Sequence, residues 1–473
     1  STDGRGFRSP LFDTVGTASE IYDGSGRLSE FAMESYFGRV NLSYLDRYIL
    51  NMTMRTDGSS RFAPSDRYGY FPSVSLGWNV SKEPFWKFDR TDLKFRLSYG
   101  KTGNQDGIGN YAWQPLMSGG INYGNNSGMA VTSMGNNKLT WETADQYDFG
   151  FDLGFWNGKL NMIADIYLKN TNNLLYSMPL HGTSGFTSIT SNIGSMRNYG
   201  VEFSINGHLN IGKVNWTSSF NISHNKNKLT KLLGDDLLPI GSNRALKVGE
   251  ELGAFYLFQM DGLYQYDGEV PQPLYDLGVR AGDVKYHDAD NNGIINDNDR
   301  VLTGSSNPDF FGGWNNTFKY KGFQLDVFFT YMYGNDVYAE WAVTATRPGY
   351  RMAITEDVAK NRWTAPGSSD KYPRAVNTLC GHNSKNSTRF LEDGSFIRLR
   401  SLTFSYTFPQ VMLQKICLKG LRLYVQGDNL LLFSKYSGWD PEVSKNMDPQ
   451  YFGVDLYGVP PSRSVNFGIN LSF

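Results

Sequence analysis

The densest run of oxygen donors in the chain is Asp288-Ala289-Asp290-Asn291-Asn292-Gly293-Ile294-Ile295-Asn296-Asp297-Asn298-Asp299. Asp288, Asp290 and Asn292 stand at its first, third and fifth positions, with Gly293 at the sixth and Asp299 at the twelfth, which is calcium-loop spacing. Glycine at the sixth position lets the chain reverse sharply enough to gather the oxygens around one ion. Ile294 would offer its backbone carbonyl. The twelfth position holds Asp where a longer, bidentate Glu is usual, so its reach is shorter. A tight turn rich in Asp and Asn has the same composition without any ion. The expectation is a structural Ca²⁺ held by Asp288, Asp290, Asn292, Ile294 and Asp299.

No other cluster supports catalysis. Gly100-Lys101-Thr102 resembles the end of a phosphate loop, but that motif needs glycine at position 95, where Phe95 stands. His181, His208, His224, His287 and His382 are scattered without ligand spacing. Cys380 and Cys417 make no disulfide framework and read as two unrelated thiols on opposite sides of a membrane. The chain is therefore expected not to be an enzyme and to carry no cofactor beyond that calcium. Flat amphipathic rings in long connections, Tyr111, Trp113, Tyr123, Trp341, Trp363 and Trp439, suit stacking on sugars or gripping peptide side chains. Internal loop packing is the favoured account for any single ring. Trp113, Tyr123, Trp341, Trp363 and Trp439 are carried forward as candidate substrate contacts. Arg347, Arg351 and Arg362 could meet anionic ligands or simply be solvated.

The elements that must position these residues are strands. Basic and acidic residues nearly cancel, 45 against 46, which excludes a nucleic-acid footprint. The chain has 29 Tyr, 31 Phe and 51 Gly, yet its mean hydropathy is only −0.43. That combination suits strands apolar on one face alone. No apolar run reaches the roughly 18 residues of a transmembrane helix. The last nine residues put Val465, Phe467, Ile469, Leu471 and Phe473 on one side and Asn466, Gly468, Asn470 and Ser472 on the other. Such alternation fits a transmembrane β-barrel, apolar towards lipid and polar towards the lumen. The same pattern recurs in Val40–Tyr44, Tyr48–Met54, Val74–Val80, Leu93–Tyr99, Tyr147–Phe155, Leu160–Leu168, Tyr199–Leu209, Val214–Asn225, Phe311–Tyr320, Phe323–Tyr333, Ser395–Phe408 and Leu421–Leu432, giving about thirteen strands.

Connections alternate in length. Segments 45–47, 156–158, 210–213 and 321–322 are short; 101–142, 170–197, 228–310, 334–394 and 433–463 are long. Short turns facing the periplasm and long extracellular loops are the arrangement of bacterial outer-membrane barrels, with the C-terminus periplasmic. Aromatics beside the short turns (Tyr44, Tyr48, Phe155, Trp156, Tyr320, Phe323, Phe408) fit an interfacial girdle. A single-chain barrel has an even strand count, so an odd count after loop-like residues 1–35 implies that 36–473 is the C-terminal part of a larger barrel. An N-terminal remainder would supply about nine strands of a total of roughly 22.

Several stretches resemble the SusC/RagA family of TonB-dependent outer-membrane transporters. They are Arg55-Thr56-Asp57-Gly58-Ser59-Ser60-Arg61-Phe62 with Tyr68-Gly69-Tyr70-Phe71-Pro72-Ser73 and Gly77-Trp78; Ser98-Tyr99-Gly100-Lys101-Thr102-Gly103-Asn104; Gly253-Ala254-Phe255-Tyr256; Tyr333-Gly334-Asn335-Asp336; Leu391-Glu392-Asp393-Gly394-Ser395-Phe396-Ile397-Arg398-Leu399-Arg400; and Gly427-Asp428-Asn429-Leu430. They occur in order from about residue 36 onward. The resemblance implies a 22-stranded barrel with an N-terminal plug, a SusD-like lipoprotein lid and energy delivered through TonB. It implies import of oligosaccharides or oligopeptides across the Gram-negative outer membrane. The plug and TonB box are not in this sequence and are expected on the N-terminal remainder. A passive porin, an adhesin or scaffold barrel, and a siderophore receptor within the same class are the alternatives.

Overall fold

In the computed structural model the described residues are 3–5, 20–23, 29–124, 126, 128–234, 237–349, 353–376, 381–413, 418–447 and 451–473. Cys380, Cys417 and Arg351 lie outside them.

Thirteen strands form one sheet: β1 (Met33–Tyr44), β2 (Tyr48–Ser59), β3 (Tyr68–Asn79), β4 (Thr91–Asn104), β5 (Glu142–Phe155), β6 (Leu160–Pro179), β7 (Ser188–Ile211), β8 (Val214–Leu232), β9 (Phe310–Tyr320), β10 (Phe323–Tyr333), β11 (Phe396–Thr407), β12 (Gly420–Ser434) and β13 (Ser464–Ser472). Each pairs antiparallel with its neighbours in chain order, so the sheet is an uninterrupted meander. The fold is all-β, as the alternation predicts. β1 and β13 are the two edges, and they do not pair with one another.

The register turns thirteen local alternations into one surface. A single line of cross-strand partners runs Tyr44, Tyr48, Trp78, Phe95, Phe151, Ala164, Phe203, Ile222, Gly312, Tyr331, Ile397, Phe433. All are apolar or aromatic except Gly312. Direct neighbours of this kind stabilise a sheet by roughly 0.2–1 kcal/mol each. Gly312 leaves room for a ring, because a Cβ there would sit 2.7 Å from the Tyr331 hydroxyl. On the opposite face the rungs are polar. Arg96 lies 3.0 Å from Asp152 and 2.9 Å from Asp165. Ser98 donates to Asp148 at 3.1 Å, Asn51 to Ser75 at 3.1 Å and Thr317 to Asp326 at 2.7 Å.

Tight turns close one rim. Leu45 and Asp46, Trp156 and Asn157, and Lys321 and Gly322 all take positive φ, the backbone hand that matches strand twist in short hairpins. Longer connections 80–90 and 408–419 also lie on this rim. The girdle aromatics gather here, with Phe323 and Tyr406 rings 4.5 Å apart and Tyr406 and Phe408 4.9 Å apart.

The other rim differs from expectation at one place. The segment 170–197, read as a loop, is mostly strand: β6 and β7 stay paired up to Pro179 and Ser188, leaving only 180–187 as connection. Asn170, Asn172 and Asn173 interrupt the apolar alternation that marks a strand against lipid, but backbone pairing does not depend on it. Register shifts beside Asn172 and Leu174, with Asn173 at φ 58°, absorb the irregularity. The wall also begins at Met33, three residues before the expected boundary.

Three of the remaining long connections fold together, while 105–141 packs separately, its Ile108 and Leu139 against Phe62 and Phe71. Strands Leu237–Ile240, Arg244–Lys247, Ala254–Phe258 and Arg300–Ser305 make a four-stranded sheet. Asp336–Ala339 pairs with Leu391–Asp393 and with Val454–Asp455. Phe255, Leu257, Val337, Tyr338, Phe390, Tyr436 and Val454 close a buried core drawn from three connections distant in sequence. A second core, including Phe258, Val279, Val284 and Tyr286, lies within 258–295.

Candidate functional site

The acidic loop forms much as its spacing predicts. Oxygens of Asp288, Asp290 and Asp299 lie within 4.8 Å of one another. Asn291 and Gly293 take φ of 56° and 81°, which makes the reversal possible. Asp288 accepts from the amides of Asn292 at 3.1 Å and Gly293 at 2.7 Å. Those amides, Gly293 first, hold its carboxyl below the usual range, whereas partial desolvation pushes the Asp290 carboxyl up. Asp299, fully buried, accepts from Ala289 at 2.9 Å and Asn296 at 2.7 Å, the latter within a capping box. Asn292 turns its amide to Asp290 at 2.8 Å and accepts from the Ile294 amide at 2.8 Å. The three carboxylates are gathered. Asn292 and the Ile294 carbonyl are adjacent in the loop.

The five aromatic candidates divide. Trp341 packs on the three-connection core and donates to the Tyr436 hydroxyl at 3.1 Å. Trp363 packs on the second core, donates to Gln265 at 3.2 Å and covers Gly282, where a Cβ would come within 2.3 Å of its ring. Loop packing accounts for both of these indoles. Trp113 is half-buried. Tyr123 and Trp439 stand 89% and 81% exposed, free to meet a ligand. The structure therefore does not bring the five into one binding surface.

Two polar features escaped the sequence reading. Arg398, 3% exposed at the top of β11, bonds to both carboxylate oxygens of Asp440 at 2.7 and 2.8 Å and approaches Glu442 at 3.0 Å. Glu442 also meets Arg400 at 3.1 Å, so this network staples connection 435–463 to the wall. In the second core, Asp283 is fully buried and paired with Arg374 through two bonds of 2.9 Å. Each partner lies dozens of residues away, so no local spacing announces either pair. On the polar face of β1–β5, Arg39, Asn51, Thr53, Ser75, Ser98 and Asp148 line a concavity of 540 Å³. The arrangement holds hydrogen-bonding groups against water or a polar solute along the wall, under folded connections at one end.

A family model described as TonB dependent receptor-like, beta-barrel matches residues 2–430. TonB-dependent receptor P3 of Formosa agariphila is 34% identical over 471 residues, covering 95% of this chain and 46% of that protein. TonB-dependent receptor SusC of Bacteroides thetaiotaomicron is 31% identical over 470 residues, covering 93% of this chain and 43% of its own length. The RagAB peptide transporter structure superposes with a TM-score of 0.84 at 27% identity, over 96% of this chain and 49% of the matched one. The chain thus spans less than half the length of these curated relatives.

Proposed function

The chain belongs to the TonB-dependent receptor β-barrel family, and from that premise we propose that it forms the C-terminal wall of a SusC-like outer-membrane importer for oligosaccharides or oligopeptides. The carrying observation is the two-faced wall: one apolar line crosses twelve strands while charged and amide groups line the reverse face. In this reading lipid meets the first face and solute passes along the second. An N-terminal remainder of the same transporter, a plug plus about nine strands, covers the edges of β1 and β13, because unpaired backbone in lipid costs several kcal/mol per group. The plug engages TonB. A SusD-like lipoprotein closes over the folded connections, which then face outside the cell, and the C-terminus lies in the periplasm. The chain has no enzymatic role. The likeness to the RagAB peptide transporter supports a peptide cargo, and the family resemblance read from the sequence motifs leaves an oligosaccharide beside it; the reading covers both. Ca²⁺ at Asp288, Asp290 and Asp299 would serve structure, tying 288–299 beneath strand Arg300–Ser305.

Uptake of labelled oligosaccharide and oligopeptide by cells with and without the intact transporter tests this. Import should vanish on deletion and on collapse of the proton-motive force. Persistence after collapse means a passive porin, and uptake unchanged by deletion means an adhesin or scaffold. Import of ferric siderophores alone moves the cargo within the same class.

A further inference from the structure

A cavity of 340 Å³ lies where the upper ends of β6, β7 and β8 meet the four-stranded loop sheet. Leu175, Ile193, Met196, Leu229 and Leu246 give it apolar walls, Tyr176 adds a phenol, and Arg244 is its one charged lining residue. Its size falls at the small end of ligand pockets, about 300–1,000 Å³. Arg244 is 7% exposed and forms no ion pair with any described residue. Its Nη1 donates to the Gly253 carbonyl at 3.1 Å, and Nη2 to Ser306 Oγ at 3.2 Å and to the Phe452 carbonyl. The guanidinium lies over the Phe255 ring at 4.8 Å, while its Nε has no hydrogen-bond partner among the described residues. Neutral oxygens thus surround a full charge, and burial pulls its pKa down to about 10. Arg398, the other buried arginine among the described residues, faces Asp440, whereas Arg389, whose pKa burial also pulls down to about 10, meets only the neutral oxygens of Thr346 and Asn383; of these two unpaired guanidiniums Arg244 is the one that lines the cavity. A buried cation without an anion is costly, and an incoming carboxylate relieves that cost.

We propose that this cavity binds a carboxylate carried on a short apolar chain, the anion meeting Arg244 and the chain lying against the wall formed by Ile193, Leu229 and Leu246. The inference rests on the importer reading and narrows its cargo: the C-terminal end of an apolar peptide has this chemistry, and a neutral oligosaccharide does not. A free short fatty acid shares it.

Calorimetry on the intact purified transporter, in detergent and without any energy source, tests the site. The probes are Ala-Leu-Leu, its C-terminal amide, hexanoate and maltotriose. Ala-Leu-Leu should bind, its amide should bind at least tenfold more weakly, and maltotriose should not compete. Hexanoate binding as tightly as the peptide identifies a fatty-acid site of the same chemistry; weaker binding identifies a peptide site. R244Q should abolish binding and R244K restore part of it. Because Arg244 also ties three segments together, L252W narrows the cavity from an exposed lining position without touching the cation, and it should also weaken binding at least tenfold. Equal affinity for acid and amide, unchanged affinity in L252W, or no heat from any probe at millimolar concentration overturns the proposal. Energised uptake by the same cells reports on the importer reading separately, so an active importer with a silent cavity refutes only this inference.

Discussion

Leu97 and Ser98 are consecutive in β4, and the two-faced wall assigns them opposite environments. Leu97 is 53% exposed and lies in a rung between Leu76 and Phe149, which continues to Ile166 and Val201. Ser98 lies between Ser75 and Asp148 and donates to Asp148 at 3.1 Å. In Leu97→Arg a guanidinium must enter the hydrocarbon layer near mid-height, a cost of about 2–4 kcal/mol in barrels of this kind. At 1.4 kcal/mol per tenfold, the folding equilibrium falls roughly 30- to 700-fold. In Ser98→Arg the same group meets water and the opposing Asp148 carboxylate, and the change should stay within about 1 kcal/mol of zero. Tyr99→Arg, two residues nearer the long-loop rim on the outward face, should cost less than Leu97→Arg because the penalty falls with distance from mid-height. The assay is denaturant-dependent folding of the intact transporter in lipid vesicles, followed by tryptophan fluorescence. Equal losses at 97 and 98, or a larger loss at 98, would show that the apolar line does not face lipid and would refute the wall as described.

Asp440→Asn removes the charge facing Arg398 and should destabilise the closed form of 435–463 by about 3 kcal/mol, the lower end for broken buried pairs because Glu442 remains at 3.0 Å; faster proteolysis within 435–463 is the readout. His382 is 8% exposed, its Nε2 bonds to the Val284 carbonyl at 2.7 Å, and burial lowers its pKa below the ordinary 6.5. The unfolded form therefore binds the proton first, so stability is full above pH 6.5 and declines as pH falls from there through the lower folded value. The protection factors of the Val284 and Tyr286 amides, with the slower intrinsic exchange at low pH divided out, should fall between pH 7 and 5, and protection that does not change with pH would contradict this. Asp299→Ala frees the amides of Ala289 and Asn296 and should loosen the loop by about 1–3 kcal/mol with or without calcium. Asp290→Asn is the cleaner calcium test: if the loop binds the ion, titration of the intact complex loses its heat in this variant, and an unaltered titration removes Asp290 from the site.

What the sequence revealed depended on how local each cause is. Period-two alternation is set by neighbours along one strand, so the spans around Leu97 or Ile469 were readable without partners. The acidic loop was readable for the same reason: Asp288 to Asp299 is one contiguous turn. The upper part of the hairpin was not, because beyond Asn170 the strands no longer separate apolar from polar sides and only pairing with residues around Arg197 holds them extended. Loop packing is the account the sequence favours for Trp341 and Trp363, but their partners, Tyr436 and Gln265, lie about a hundred residues away and no local spacing names them. Arg244 and Arg398 were invisible for the same reason. Both are ordinary charges in sequence, and both become unusual only when distant connections bury them.

The register carries information that no single strand holds. The apolar line begins at Tyr44, beside the turn at 45–47, and ends at Phe433, next to the last residue of β12 on the opposite rim. A line of hydrogen-bonded partners runs perpendicular to its strands, at about 4.8 Å per step. With strands inclined by about 40°, each step climbs about 3 Å, so the eleven steps climb roughly 34 Å. That exceeds the apolar band of about 25 Å by the depth of the aromatic zones at its edges. A line that stayed level would require upright strands, and upright strands cannot close around a lumen. The drift of one row of side chains from rim to rim is therefore the mark of a tilted wall. β6, β7 and β8, at 20, 24 and 19 residues, outrun the other strands of the wall, so their upper ends reach the folded connections, where Met196, Leu229 and Arg244 line one cavity.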